Sequence, residues 1–152
     1  MKVLVAFYTS TGKTETMAEY IAEGVRITGN EADVRKIGDL KDPAELAGYD
    51  GLIFGSPTFS LDAPHPMKSF LSRLGKGLEG KSGGAFGAYA HDVGYEHDTH
   101  APAIILDLLE KEHKMKPFEL GPFALKEDMI GTDEGRKACQ DYGRVFAEKL
   151  GA

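Results

Sequence analysis

The stretch Val3-Leu4-Val5-Ala6-Phe7-Tyr8-Thr9-Ser10-Thr11-Gly12-Lys13-Thr14 decides how the rest of the chain is read. Val3 to Tyr8 is a continuous apolar run of strand length, as expected of a strand covered on both faces. A few residues later Met17, Ala18, Ile21, Ala22 and Val25 repeat at helical spacing and form one buried stripe. The link between them, Thr9 to Thr14, places four hydroxyls, Gly12 and Lys13 at a helix amino end. Such an end presents free N–H groups and the positive end of the helix dipole, hydroxyls add donors, and Gly12 lets the backbone approach closely. An ordinary Ser/Thr cap needs one hydroxyl; four favour a bound phosphate.

The sequence narrows the kind of phosphate. Gly12-Lys13-Thr14 imitates the end of the triphosphate loop GxxxxGK[ST], but that motif requires Gly at position 7, which is Phe7. Nor does the third apolar run end in a magnesium-binding Asp, since Asp50 precedes it. The dinucleotide fingerprint GxGxxG is also absent, because Gly12 stands alone in the loop. A compact, hydroxyl-rich cradle for a phosphate monoester is left.

Beyond this segment, apolar runs at Ala32 to Ile37, Gly51 to Phe54, Gly84 to Ala90 and, more weakly, Pro117 to Leu125 read as further strands. Glu31 to Ile37 is mixed and fits an edge, as does the last run, which carries Pro117 and Pro122. Between them lie helical stripes at Met67, Phe70, Leu71 and Leu74, at Ile104, Ile105, Leu108 and Leu109, and at Ala138, Tyr142, Phe146 and Leu150. Asp42-Pro43-Ala44-Glu45 reads as a capping box with Pro at the first helical position, and Thr132-Asp133-Glu134 as a helix start. Alternating strands and helices predict an α/β fold with a mostly parallel sheet covered on both faces. With no linker or low-complexity segment, residues 1–152 are expected to form one domain.

The chain has 152 residues, 41% of them apolar, and a formal net charge of -6. A chain of this length buries roughly 68 to 70% of the surface its unfolded form exposes, so a core forms without disulfides or structural metal. The single cysteine, Cys139, excludes an internal disulfide or CxxC site and suits a reducing, cytoplasmic setting. No apolar stretch has the ~18 residues of a membrane span. No membrane insertion is therefore expected, and acidity without a basic cluster argues against nucleic acid or an anionic membrane as the main partner and leaves room for cationic protein partners.

Three loops carry a resemblance to one family. Thr9-Ser10-Thr11-Gly12-Lys13-Thr14 is similar to the [ST]-x-T-G-x-T phosphate loop of flavodoxins at every position. Gly55-Ser56-Pro57-Thr58-Phe59-Ser60, after the third strand, resembles their second flavin loop; its SPT start, followed by Met67-Lys68-Ser69-Phe70-Leu71, also resembles flavodoxin-like quinone reductases. Asp92-Val93-Gly94-Tyr95-Glu96, after the fourth strand, is similar to the D-x-x-Y-E of many flavodoxins, in which the Tyr stacks on the flavin ring.

The resemblance implies a flavodoxin-like, doubly wound three-layer sandwich of the short-chain type, with a five-stranded parallel sheet of order 2-1-3-4-5 and FMN at the switch point. It implies that Thr9, Ser10, Thr11, Gly12, Lys13 and Thr14 bind the phosphate. Pro57, Thr58, Phe59, Ser60, Tyr89, Ala90, His91, Asp92, Gly94, Tyr95 and Glu96 would frame the ring. Phe59 and Ser60 depart from the larger aromatic and the Gly common in the family, Lys13 adds a cation, and the stretch from Ala90 to Ala101 is long and rich in His.

His65, His91, His97 and His100 fall in the two ring loops. None pairs with another at the i, i+4 spacing of a zinc motif and no Cys accompanies them, so no metal is expected. Cys139 lies on the last helical stripe and reads as core. The family resemblance implies a low-potential one-electron carrier between a reductase and an acceptor, with no catalytic side chain of its own. The alternative is an FMN-dependent NAD(P)H:quinone reductase, and a third is a domain serving a separate di-iron or reductase protein. The oligomeric state stays open.

Overall fold

The structure is a computed structural model, and it describes residues 1–9, 12–57, 64–74, 77–89 and 100–150. In chain order the elements are β1 (Lys2–Phe7), α1 (Lys13–Ile27), β2 (Glu31–Lys36), two 3-10 turns (Ile37–Asp39 and Pro43–Gly48) and β3 (Gly51–Gly55). There follow α2 (His65–Ser72), β4 (Ser82–Tyr89), α3 (His100–His113), β5 (Lys116–Pro117), β6 (Phe123–Lys126), α4 (Glu127–Ile130) and α5 (Asp133–Leu150).

β1 owes its unbroken apolar character to its central place. Val3, Val5 and Phe7 point to one face, against Met17, Ala18 and Ile21 of α1 and Cys139, Tyr142 and Phe146 of α5. Leu4 and Ala6 point to the other, in the layer that includes Met67, Phe70 and Leu71 of α2 and Ile105 and Leu109 of α3. All of these side chains are buried, and each large one stabilises the fold by ~1.5–3 kcal/mol relative to exposure. The stripes of α1 and α2 fall as expected; on α3 Ile105 and Leu109 are buried with Ala101 and Leu106, leaving Ile104 and Leu108 half-buried, and the buried line of α5 runs through Gly135, Cys139, Tyr142, Gly143, Phe146 and Ala147, leaving Ala138 and Leu150 half-buried.

The strand order is β2-β1-β3-β4-β5, all pairs parallel, with β6 also on β4. This is the order the resemblance implies, with one refinement. The fifth position holds two short strands: β5 pairs with Ser82 and Gly83, β6 with Phe86 to Tyr89. Pro117 and Pro122 cannot donate to a ladder, and residues 118–122 turn out of it, with Gly121 at φ 77°. The capping box at Asp42 is present: Ala44 N–H donates to Asp42 Oδ1 (2.9 Å) and Asp42 N–H to Glu45 Oε2 (3.4 Å). It caps a 3-10 turn that ends by Gly48, with Tyr49 already extended. At the start of α5, Gly135 N–H donates to Thr132 Oγ1 (3.0 Å), as the sequence suggests.

Among the described residues no helix is long and apolar enough to cross a membrane.

Candidate functional site

β1 and β3 end level with one another, Phe7 pairing with Gly55 and Gly55 with Phe86, while β4 runs on to Tyr89. Two further bonds extend this register past the strands: Tyr8 N–H donates to Gly55 O (2.9 Å) and Ser56 N–H to Phe86 O (3.2 Å). The crossover after β1 leads outward to β2 and the crossover after β3 leads the opposite way to β4, so the loop after β1 stands at the crevice where ligands of open α/β sheets bind.

That loop is braced at both ends. Gly12 N–H donates to Thr9 Oγ1 (2.9 Å), and Gly12 O accepts from both the N–H and the hydroxyl of Thr16 (3.1 Å each). Gly12 is the N-cap of α1 at φ 87°, and a Cβ there would meet nothing within 4 Å among the described residues. The left-handed backbone, rather than crowding, therefore requires glycine, and the space beside it is open. Among the described residues no side chain caps the first turn of α1. Thr14 is 2% exposed, and its hydroxyl has no hydrogen-bond partner among the described residues. Buried hydroxyls are normally paired. An uncapped helix start, open space at a left-handed glycine and an orphaned buried hydroxyl together fit a phosphate. Lys13 is the exposed first residue of α1.

The second and third loops begin from a tightly fitted pair of strand ends. Ser56 is fully buried, its hydroxyl donating to Pro57 O (3.0 Å), and Pro57 is buried beside it. Gly87 lies against this corner: a Cβ there would sit 2.4 Å from Ser56 O and 2.9 Å from Pro102 Cγ of α3. A Cβ at Gly55 would sit 2.1 Å from the ring of Phe86. Gly55 and Gly87 thus set how closely the exit of β3, the end of β4 and the start of α3 approach. Sequence reasoning left both out of the site. The available signal was an isolated Gly inside an apolar strand, which marks close backbone approach.

Of the residues named from sequence, Thr9, Gly12, Lys13 and Thr14 come together at the amino end of α1, Pro57 stands at the exit of β3, and half-buried Tyr89 closes β4 opposite Lys126. Ser10, Thr11, Thr58, Phe59, Ser60, Ala90, His91, Asp92, Gly94, Tyr95 and Glu96 lie outside the described residues, as does His97. His65 is the first residue of α2, beside Tyr8 and Ile37 in a groove, and His100 is the first of α3. A cavity of about 630 Å³, lined in part by Lys81, Lys116, Phe118 and Phe146, opens at the other end of the strands. It contains no buried polar group that points to a ligand.

Comparisons with known proteins agree with this geometry. Residues 5–100 match the family model described as flavodoxin. A relative named NAD(P)H dehydrogenase (quinone), from Gluconacetobacter diazotrophicus, is 34% identical over 99% of this chain and 93% of its own length. That alignment runs over 186 positions, more than the 152 residues of this chain, so the relative carries internal insertions without counterpart here. Other relatives of that name are matched over only 61% to 66% of their length. Among solved structures, a flavodoxin from the domain Archaea superposes with a TM-score of 0.83 at 25% identity, covering 100% of both chains. Flavodoxin 1 from Bacillus cereus superposes with a TM-score of 0.78 at 28% identity, covering 97% of this chain and 98% of its own.

Proposed function

Because the chain belongs to the flavodoxin family, whose cofactor is FMN, we propose that it is a cytoplasmic FMN-binding electron carrier working between a reductase and an acceptor protein. The observation that carries this reading is the end-to-end match to a flavodoxin, 100% of both chains at a TM-score of 0.83, and the left-handed Gly12 at the start of α1 supports it. The internal insertions of the quinone dehydrogenase relative, absent here, also favour the smaller carrier. A lone, buried Cys139 supports the reducing compartment.

Thr9, Ser10, Thr11, Gly12, Lys13 and Thr14 would hold the phosphate. Pro57, Thr58, Phe59 and Ser60 would border one side of the ring, and Tyr89, Ala90, His91, Asp92, Gly94, Tyr95 and Glu96 the other. FMN, when bound, supplies the redox chemistry, so the protein needs no nucleophile or general acid. The chain's own contribution is to bind, orient and shield. Thr9 holds Gly12 by its N–H, which keeps the amide groups of the first turn of α1 turned toward the anion. The carboxylates of Asp92 and Glu96 would oppose added negative charge beside the ring; each ~1.4 kcal/mol of repulsion lowers a one-electron potential by about 59 mV. The net charge of -6 would steer cationic partners to the molecule.

The 34% identity to NAD(P)H dehydrogenase (quinone) supports a second reading, an FMN-dependent NAD(P)H:quinone reductase. Anaerobic assay of the FMN-loaded protein separates the two. The carrier reading expects two resolved one-electron steps in reductive titration, electron exchange with a reductase protein and no direct oxidation of NAD(P)H. Rapid NAD(P)H-dependent quinone reduction by the purified chain would replace it with the enzyme.

A further inference from the structure

We propose that Ser56 is a positioning residue: by holding the Pro57 carbonyl it fixes the direction in which the chain leaves β3, and thereby biases the redox state of the flavin beside that exit. The inference rests on the FMN reading above. Proline locks its own φ at about -65°, and peptide bonds are planar, so the one soft torsion left at Pro57 is ψ, which turns its carbonyl. The Ser56 hydroxyl donates to that carbonyl, Pro57 O, at 3.0 Å. Side chain and imino ring together therefore leave no free torsion at this residue. Because N–H and C=O lie on opposite sides of a trans peptide, the same bond also sets which way the next amide points.

The hydroxyl is not needed to finish the strand. Ser56 N–H already donates to Phe86 O (3.2 Å), continuing the register between β3 and β4. Ser56 O is confined separately, since a Cβ at Gly87 would sit 2.4 Å from it. Ser56 is 0% exposed, and Pro57 is buried beside it. Burying a hydroxyl is costly unless it is bonded, and alanine would fill the same corner without that cost. What the hydroxyl adds is the orientation of Pro57 O. β3 lies against β1, so this exit opens at the crevice that also receives the loop after β1. An exit fixed in the free protein need not be ordered when a ligand binds. It also discriminates between forms of the ligand. Oxidised and reduced flavin differ in charge and protonation, and a loop with one starting direction favours the resting, oxidised ring, whereas a released loop adapts to both.

The experiment uses the full chain and compares wild type with Ser56→Ala, Ser56→Thr and Tyr142→Phe. The last removes a buried hydroxyl bonded to the Ala85 backbone and leaves the exit of β3 untouched. Affinity for oxidised FMN is read from flavin fluorescence, and the midpoint potential from anaerobic spectroelectrochemistry. Ser56→Ala is expected to bind oxidised FMN about three- to tenfold more weakly, the size of one buried hydrogen bond, and reduced FMN with a smaller loss. Its midpoint potential should therefore rise. In the apo protein the carbonyl carbon of Pro57 should shift upfield as its hydrogen bond is lost. Ser56→Thr should keep the wild-type carbonyl shift and potential, and Tyr142→Phe should lose stability with no change in potential. An unchanged potential in Ser56→Ala overturns the proposal, as does an equal loss of affinity for both redox forms or an unmoved Pro57 carbonyl shift. So does Ser56→Thr with the wild-type carbonyl shift but the potential of Ser56→Ala, or Tyr142→Phe with that potential. Wild type that takes up no FMN overturns the FMN reading and this proposal with it, a result recognised before any substitution is made.

Discussion

The hydroxyl of Tyr142 occupies the place of a missing strand residue beside Ala85. Ala85 N–H donates to Tyr142 Oη (3.1 Å), and the hydroxyl donates in turn to Ala85 O (3.3 Å). β5 ends at Pro117, opposite Gly83, and β6 begins at Phe123, opposite Phe86, so Ala85 faces the gap between them. A buried N–H and C=O left there without partners would each be costly. Tyr142 reaches them from α5, and the ring of Phe123 stacks on its own at 5.1 Å.

Tyr142→Phe should therefore destabilise the protein by ~1–3 kcal/mol, the cost of leaving buried backbone groups unsatisfied. The loss is to be read from urea midpoints at neutral pH. A change within a few tenths of a kcal/mol would mean that water reaches Ala85 and serves the same groups.

Alkaline pH should weaken the fold through two tyrosines. Burial pushes the Tyr142 hydroxyl well above its ordinary value despite the opposing bond from the Ala85 backbone. Burial and the hydrogen bond to Asp33 (2.6 Å) push Tyr49 up to about 12. Both groups hold their protons more tightly folded than unfolded, where tyrosine titrates near ~10. Their contribution is complete below that pH and is lost as pH rises through it toward the folded values. Urea midpoints measured from about pH 8 to about pH 11 should fall for wild type and fall less for Tyr142→Phe and for Tyr49→Phe.

The α1–α5 contact should not tolerate a single added methyl group. A Cβ at Gly143 would lie 2.0 Å from Ile21 O, and one at Gly24 would lie 1.9 Å from Gln140 O. Each neighbour is backbone of the facing helix and cannot rotate away. Gly143→Ala and Gly24→Ala should each cost ~1–3 kcal/mol by overpacking, despite the better helix propensity of Ala. Because both substitutions push the same helices apart, the double variant should lose less than the sum, which a double-mutant cycle measures.

At Gly12 the demand is conformational. The residue stands at φ 87° with no neighbour within 4 Å of a Cβ among the described residues, so Gly12→Ala should cost ~1–2 kcal/mol for the left-handed backbone. Gly12→Asn should cost less, because Asn tolerates that region. Gly48→Ala, which meets nothing and has no positive φ, serves as the control. FMN affinity should fall for Gly12→Ala and stay at the wild-type level for Gly48→Ala.

Cys139 should be inert in the native protein. The thiol is fully buried, and burial pushes it up to about 12. A water-soluble thiol reagent at neutral pH is expected to label it only when the chain unfolds, with labelling kept in step with the denaturation curve. Fast labelling without denaturant would place the thiol within reach of solvent.

Hydrophobic periodicity is a local property, and so it gave the class of β1 to β4 and of α1, α2, α3 and α5, though not the 3-10 turn after Asp42 or the short α4. β1 is unbroken because both of its faces are covered, and the stripe Met17, Ala18, Ile21, Ala22 and Val25 is buried to the last residue. The candidate phosphate cradle was legible for the same reason: Thr9, Gly12, Lys13 and Thr14 lie within six consecutive residues, so no long-range fold was needed to bring them together. Periodicity is silent on strand order, which came from the resemblance and is now seen in the register.

Other features depend on residues far apart in the chain, and there the sequence alone was mute. Pro117 and Pro122 marked an edge, but the division of the fifth strand is set by which residues β4 pairs with. Tyr142 read as one more core residue, because nothing near it in sequence shows that its hydroxyl completes the backbone of Ala85, 57 positions away. Gly24 and Gly143 likewise carry no local reason to be glycine, since neither is at positive φ. Their reason is the backbone of another element pressed against them, and close packing between distant segments is decided only when the whole chain has folded.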